Sequence, residues 1–194
     1  MNLFNLRFTV KKVDHKQNQN LLFNIIVPLF NAEQYIEKCL KSILKQSYKR
    51  FQVQVVDDCS SDSSYEIASS ICGVNKNFKI FKNSRRIGAL NNISNLLDTK
   101  IKEPSSTVDL IIDGDDYLYS GDVLNIVKEK YLETNCLITY GSHISSKGIQ
   151  GKKYPRLIRE FNLFRKYFWY GSHLRTFRHD LWLAINPQDL LNIN

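Results

Sequence analysis

The sequence predicts an α/β fold: a mainly parallel central sheet with helices on both faces. Three observations carry this. Short apolar runs rich in β-branched residues alternate with helical patterns of about ten residues, which is how βαβ units read. The runs read as near-continuous rather than alternating, as strands buried on both faces require. Carboxylate-rich or polar clusters follow three of them, at the strand ends beyond which open α/β sheets hold ligands.

Residues 1–20 form a polar N-terminal extension, and residues 21–194 form one domain. Phe23–Val27 (FNIIV) is the first strand, closed by Pro28. Asn31 and Gln34 have capping-box spacing for a helix with Ile36, Cys39, Leu40, Ile43 and Leu44 on one face. Phe51–Val56 is a strand, Asp57–Ser61 a polar loop with Asp57 as a cap, and Ser63–Ile71 a helix. Phe78–Phe81 is a shorter strand, Asn83–Ile87 a loop and Gly88–Leu97 a helix. Val108–Ile112 is the strand that ends in Asp113, Asp115 and Asp116, before a helix over Asp122–Leu132 and a strand over Cys136–Tyr140. After Gly141, GSHISSKGIQGKKY reads as an exposed loop. Pro155–Gly171 then places Leu157, Phe161, Phe164 and Phe168 on one helical face, for core or interface packing or for peripheral membrane contact.

Composition narrows the function classes. A chain of 194 residues, 43% hydrophobic and 24% charged, has the make-up of a globular domain. No apolar run approaches the roughly 20 residues of a membrane span, and the N-terminus has no signal-peptide core. The expected location is cytoplasmic, including the cytoplasmic membrane face. Cys39, Cys59, Cys72 and Cys136 are widely spaced without a CxxC pair, and the histidines lack zinc-ligand spacing. A net charge of +8 asks for an anionic partner, but no basic stripe has the density of a nucleic-acid-binding arm.

The carboxylates at the strand ends carry the chemistry. Asp113, Asp115 and Asp116 repel one another unless a cation or a proton is shared. Mg²⁺ or Mn²⁺ relieves the repulsion through one or two carboxylates, with substrate phosphates completing the shell. Gly114 admits a tight turn between the acids. Read alone, DGDD is equally well a turn of solvated acids.

Three further segments accompany it. NIIVPLFN leads into a helix bearing Tyr35-Ile36, Cys39-Leu40, Ser42-Ile43 and Gln46-Ser47-Tyr48; VVDDCSSD follows the second strand; LIIDGDDYL ends the fourth. In this order they resemble the family 2 glycosyltransferases of the GT-A fold, across residues 22–141. Cys59 stands where that pattern commonly has glycine. The resemblance implies a GT-A, Rossmann-like domain with a nucleotide-binding part over 21–141 and an acceptor-side part over 142–194. It implies an inverting glycosyltransferase of polysaccharide-biosynthesis type, moving a sugar from a nucleotide-diphosphate sugar, UDP-linked, to an acceptor hydroxyl.

By resemblance, Asp58 meets the uracil, with Pro28 and Phe30 shaping the pocket or simply packing. Asp113 and Asp115 are the paired acids of the DxD element at ribose and metal, and Asp115 or Asp116 is the principal ligand of Mn²⁺ or Mg²⁺. Arg85 or Arg86 reaches the uracil or the pyrophosphate, or belongs to a solvated loop. His173 and Arg175, in GSHLRTFR, are acceptor-side or phosphate contacts, and His143 is a further candidate. The acceptor is a glycan, a lipid-linked sugar or a protein. The catalytic base is not identifiable: after Glu160 the only carboxylates are Asp180 and Asp189, and neither sits in a base motif. That leaves a shortened member of the family, or a non-catalytic nucleotide-sugar-binding module of the same fold.

Overall fold

The computed structural model describes residues 20–145, 147–151, 155 and 172–185. The N-terminal extension before Asn20, the aromatic segment 156–171, the side chain of His173 and residue Asp189 lie outside the described residues.

Six strands form one sheet in the order β3-β2-β1-β4-β6-β5. They are β1 (Leu22–Leu29), β2 (Phe51–Asp57), β3 (Phe78–Lys82), β4 (Thr107–Ile111), β5 (Ile138–Gly141) and β6 (Ser172–Arg178). The helices are α1 (Ile36–Leu44), α2 (Ser64–Gly73), α3 (Ala89–Leu97), α4 (Val123–Thr134) and α5 (His179–Leu183). β3, β2, β1 and β4 pair in parallel, while β6 runs antiparallel between β4 and β5. The expected α/β architecture with a mainly parallel sheet is therefore present, with one reversed strand inserted. No helix among the described residues is long and apolar enough to cross a membrane.

The two faces of the sheet differ. Phe23, Ile25, Val27 and Leu29 of β1, with Val53 and Val55 of β2 and Val108 and Leu110 of β4, pack against α1, α2 and α4. The opposite face holds a smaller apolar cluster of Ile26, Val56, Leu96, Leu97 and Trp182 under α3 and α5. Beside it lies a buried polar network. Asn24 Nδ2 donates to Asp109 Oδ1 at 2.7 Å, Gln52 and Gln54 donate to Asn24 Oδ1, and His179 Nδ1 meets Asp109 Oδ2 at 2.8 Å. Asn24, Asp109 and His179 are at most 1% exposed. The strands are buried on both faces as expected, and Ile25–Val27 and Leu110–Ile112 are unbroken apolar runs, but Asn24, Gln54 and Asp109 interrupt the pattern, and the polar set is tolerated because its members satisfy one another.

Two local expectations are also corrected. Pro28 lies inside β1 rather than closing it. Its carbonyl accepts from Gly114 N on the β4 side, and because it has no N–H to donate toward the same neighbour, the β1–β4 ladder ends just before it, at Ile26–Ile111. Asn31 is not the N-cap of α1; Tyr35 is, without a side-chain cap bond. Asn31 instead adopts left-handed backbone (φ 47°) and accepts from Ser61 N at 2.9 Å.

The motif residues of α1 turn out to be fasteners. Ser42 Oγ accepts from Leu118 N. The fully buried Gln46 donates to the Ser120 carbonyl and accepts from Leu124 N. Ser47 Oγ donates to Asp122, and Tyr48 donates its hydroxyl to the Leu21 carbonyl while its ring edges onto Phe23. Together they pin the segment that follows the acids to α1, so the acids leave β4 in a defined direction.

Candidate functional site

Three loops meet beyond the carboxyl ends of β1, β2 and β4 and enclose a cleft of about 270 Å³. The first two are stitched together by backbone donors. Asn31 N donates to Ser60 Oγ, Ala32 N to Ser64 Oγ and Glu33 N to Asp62 Oδ2, while Ser63 N donates back to Glu33. Burial of Asp62 opposes its ionisation, but bonds from Ser64 and Glu33 outweigh it and hold its carboxyl below the usual range. Asp57 does not cap α2. It is fully buried at the end of β2 and accepts from Ser60 N at 3.1 Å, closing the loop itself.

Asp58 lines the cleft and is 3% exposed. Its Oδ1 accepts from Asn83 Nδ2 and Ile87 N at 2.9 Å each, and its Oδ2 from Gly88 N at 2.8 Å. Asn92 gives its Oδ1 to Asn83 and turns its Nδ2 toward Asp58 without closing a hydrogen bond. Burial pushes the Asp58 carboxyl up, and these donors more than reverse that, holding it at about 2. Asp58 therefore organises the 83–88 loop from beneath. Gly88, at φ 88°, turns its N–H onto the carboxylate in a conformation that L side chains rarely adopt.

That loop separates the two arginines. The Arg86 guanidinium lies over the Phe30 ring, 3.8 Å from its centroid, and both residues line the cleft. Arg85 is exposed and is not part of the lining.

The third loop is the acidic turn. Gly114 N donates to the Pro28 carbonyl, and a Cβ at position 114 would meet that oxygen and Leu29 Cδ1 at 3.1 Å each, so the turn needs glycine for close approach. Asp113 and Asp115 face the cleft; Asp116 lines a second cleft of about 350 Å³ across the turn, with Tyr117, Tyr119, His143 and Leu174. Asp115 is exposed, and no hydrogen bond or ion pair engages its side chain among the described residues. Arg175, on β6 opposite Ile111, places Nη2 3.2 Å from Asp113 Oδ2. The thiol of Cys39 beneath the turn is pushed up to about 12, first by burial and then by the charges of Asp116, Asp115 and Asp113.

Of the sequence candidates, Pro28, Phe30, Asp58, Arg86, Asp113 and Asp115 come together around one cleft. Arg175 joins them through Asp113, while Arg85 and Asp116 do not line it. The sequence reading gave no role to Asn83, whose amide bridges Asp58 and Asn92, or to the Ile87 and Gly88 amides.

Asp113 and Asp115 offer hard oxygen donors at the cleft wall, but among the described residues no group of three or more His, Cys, Asp or Glu is arranged to hold an ion. Such a set fits Mg²⁺ or Mn²⁺ that takes the rest of its shell from a bound diphosphate, and does not fit an all-protein cage.

The family model for glycosyl transferase family 2 matches residues 24–187. The chain is 28% identical over 134 residues to the glycosyltransferase GlyA of Streptococcus pneumoniae serotype 4, covering 69% of this chain and 18% of that protein. It is 30% identical over 140 residues to the poly(ribitol-phosphate) beta-N-acetylglucosaminyltransferase TarS of Staphylococcus aureus, covering 69% and 22%. The crystal structure of TarS residues 1–349 in complex with UDP-GlcNAc superposes with a TM-score of 0.63 at 25% identity, over 83% of this chain and 46% of that one. The mannosyltransferase PcManGT from Pyrobaculum calidifontis, in complex with GDP-Man and Mn²⁺, shares the fold with a TM-score of 0.59 at 20% identity, over 82% and 45%. The chain thus spans less than half the length of each of these proteins.

Proposed function

The chain belongs to glycosyl transferase family 2, and on that premise we propose that it moves a sugar from a UDP-linked donor to an acceptor hydroxyl with inversion. The observation that carries this reading is the single cleft shared by the Phe30–Arg86 stack, Asp58, Asp113 and Asp115. The complexes of TarS with UDP-GlcNAc and with UDP support a uridine donor.

In this reading the nucleoside lies between the 83–88 loop and Phe30. Asp58 fixes that loop, and Arg86 is held by its stack on Phe30. The acidic turn meets the ribose and the diphosphate. Mg²⁺ or Mn²⁺, held by Asp115 beside Asp113, would neutralise charge on the departing diphosphate. Arg175 restrains Asp113 and adds a cation at the same end of the cleft. The acceptor hydroxyl attacks the anomeric carbon from the side opposite the diphosphate as the sugar–oxygen bond breaks, and its proton passes to a carboxylate acting as base. Asp180, at the start of α5, is not among the residues of either cleft.

The test is calorimetric titration of UDP into the protein with and without Mn²⁺, beside Asp115→Asn. The expected result is binding that requires Mn²⁺ and weakens at least tenfold in the variant. A folded wild type that binds no UDP under either condition would overturn the uridine donor. Binding without transfer or donor hydrolysis across an acceptor panel would leave a nucleotide-sugar-binding module.

A further inference from the structure

A third depression, of about 390 Å³, runs along the outer face of α1 and ends at the segment that follows the acids. One wall carries Lys38, Lys41 and Lys45; the other carries Tyr117, Tyr119 and the backbone to Gly121. The lysines stand at i, i+3 and i+7, so they share a helix face at intervals of about 4.5 and 6 Å along the axis. All three are exposed. Glu37 is the acid in this groove, and it pairs with Lys41 at 2.6 Å, which leaves a net positive wall. Lys38 is held with its ammonium 3.6 Å from the centroid of the Tyr117 ring. Tyr117 and Tyr119 are 48% and 79% exposed, so both rings have surface open to a ligand in the groove.

The groove is continuous with the second cleft, across the acidic turn from the donor cleft. Tyr117, Leu118 and Tyr119 line both this groove and the second cleft, and that cleft also holds Asp116 of the acidic turn. A chain lying along the lysines would therefore be delivered to the far side of the turn from the donor cleft. The wall contains ammonium groups and no guanidinium. Ammonium is a compact point charge with three rotatable donors, and it serves phosphate groups without the two-point planar geometry that a guanidinium imposes.

We propose that the α1 groove is an acceptor track for a phosphate-bearing chain, with Lys38, Lys41 and Lys45 on successive phosphates and Tyr117 and Tyr119 against the units between them. This rests on the glycosyl-transfer reading above and adds the class of acceptor to it.

The test uses the whole chain and inorganic polyphosphate as the probe, titrated at low and at physiological salt, with UDP and Mn²⁺ titrated into the same samples. The variants are Lys38→Gln/Lys41→Gln/Lys45→Gln and, separately, Tyr119→Ala. Polyphosphate affinity is expected to fall at least tenfold in the triple variant, with a shallower salt dependence, and to stay within twofold in Tyr119→Ala, because polyphosphate has no units between its phosphates for the ring to meet, while UDP affinity stays within twofold in both. The substituted lysines are exposed, and equal melting temperatures exclude a folding loss. Unchanged polyphosphate affinity in the triple variant would overturn the proposal by placing the basic contact elsewhere, for example at Arg85-Arg86. Stronger binding of an oligouronate or of anionic lipid vesicles than of polyphosphate would overturn the assigned chemistry, and stronger binding of a single-stranded oligonucleotide would overturn the role of the groove as a track for a glycosyl acceptor. UDP binding without polyphosphate binding would sink the track alone; polyphosphate binding without UDP binding would sink the donor reading instead.

Discussion

The two carboxylate loops that face each other across the donor cleft are built in opposite ways. At the end of β2, Asp58 is buried and accepts three hydrogen bonds from the 83–88 loop, and its neighbour Asp57 is sealed beneath Ser60. At the end of β4, Asp115 is exposed, and Asp113 meets Arg175 in an ion pair whose side chains are 36% and 45% exposed. Both loops are acid pairs on strands of the same sheet, so the strand ends do not account for the difference. Backbone donors do: one loop presents amides to its acid, and the other turns its acid outward on a glycine pressed against β1. Fold stability and ligand affinity should therefore move together at the first loop and separately at the second.

The largest expected effect is at Asp58. Asp58→Asn replaces an acceptor-only carboxylate by an amide whose NH₂ must face donors, so it should lose about 2–3 kcal/mol of stability by urea unfolding, and UDP binding with it. The pH dependence has a definite sign. The folded carboxyl sits at about 2 against an ordinary 3.8, so its contribution is fully present above that ordinary value and is lost as pH falls through the folded one. The wild type should lose about 2 kcal/mol between pH 4 and 2 that Asp58→Asn does not. Equal acid sensitivity in the two proteins would mean that Asp58 does not organise the loop.

How much of this was legible beforehand follows from where each signal lives. Asp58, Asp113 and Asp115 were readable because local motifs place acids directly after apolar runs, and a strand end is a local event. The reversed β6 between β4 and β5 was not readable, because an apolar run does not state its direction or its neighbour. The Asn24–Asp109–His179 network escaped for the same reason: Asp109 and His179 are 70 residues apart, and each alone looks like a polar interruption of a strand or a helix start. Arg85 and Arg86 could not be told apart because adjacent loop residues point by backbone geometry, and only Arg86 finds a ring. Asn31 misled because capping spacing is shared by residues that adopt left-handed backbone.

A smaller effect sharpens the β2 side. Cys59 has φ 65°, which explains why this loop pattern commonly has glycine there. Cys59→Gly relieves that conformation but adds chain entropy to the unfolded state and gives up a weak thiol contact to the Ser84 carbonyl. The expected net is a gain of about 0.5 kcal/mol of stability by urea unfolding, with UDP affinity rising or unchanged. A loss would mean that the thiol contact outweighs the backbone conformation.

The smallest stability effect belongs to the β4 side. The Arg175–Asp113 pair is 3.2 Å long with side chains 45% and 36% exposed, a setting in which ion pairs contribute little. Arg175→Gln should change the free energy of unfolding by no more than about 0.5 kcal/mol. Binding should respond nonetheless, because the change removes a cation from beside the acids and lets them attract another. Mn²⁺ alone should bind the variant more tightly than the wild type, while UDP gains less because a positive charge near its diphosphate is gone. A variant that instead melts early, with Mn²⁺ affinity unchanged, would make Arg175 a structural tie between β6 and β4, and the acidic turn would then be built on the same plan as the Asp58 loop.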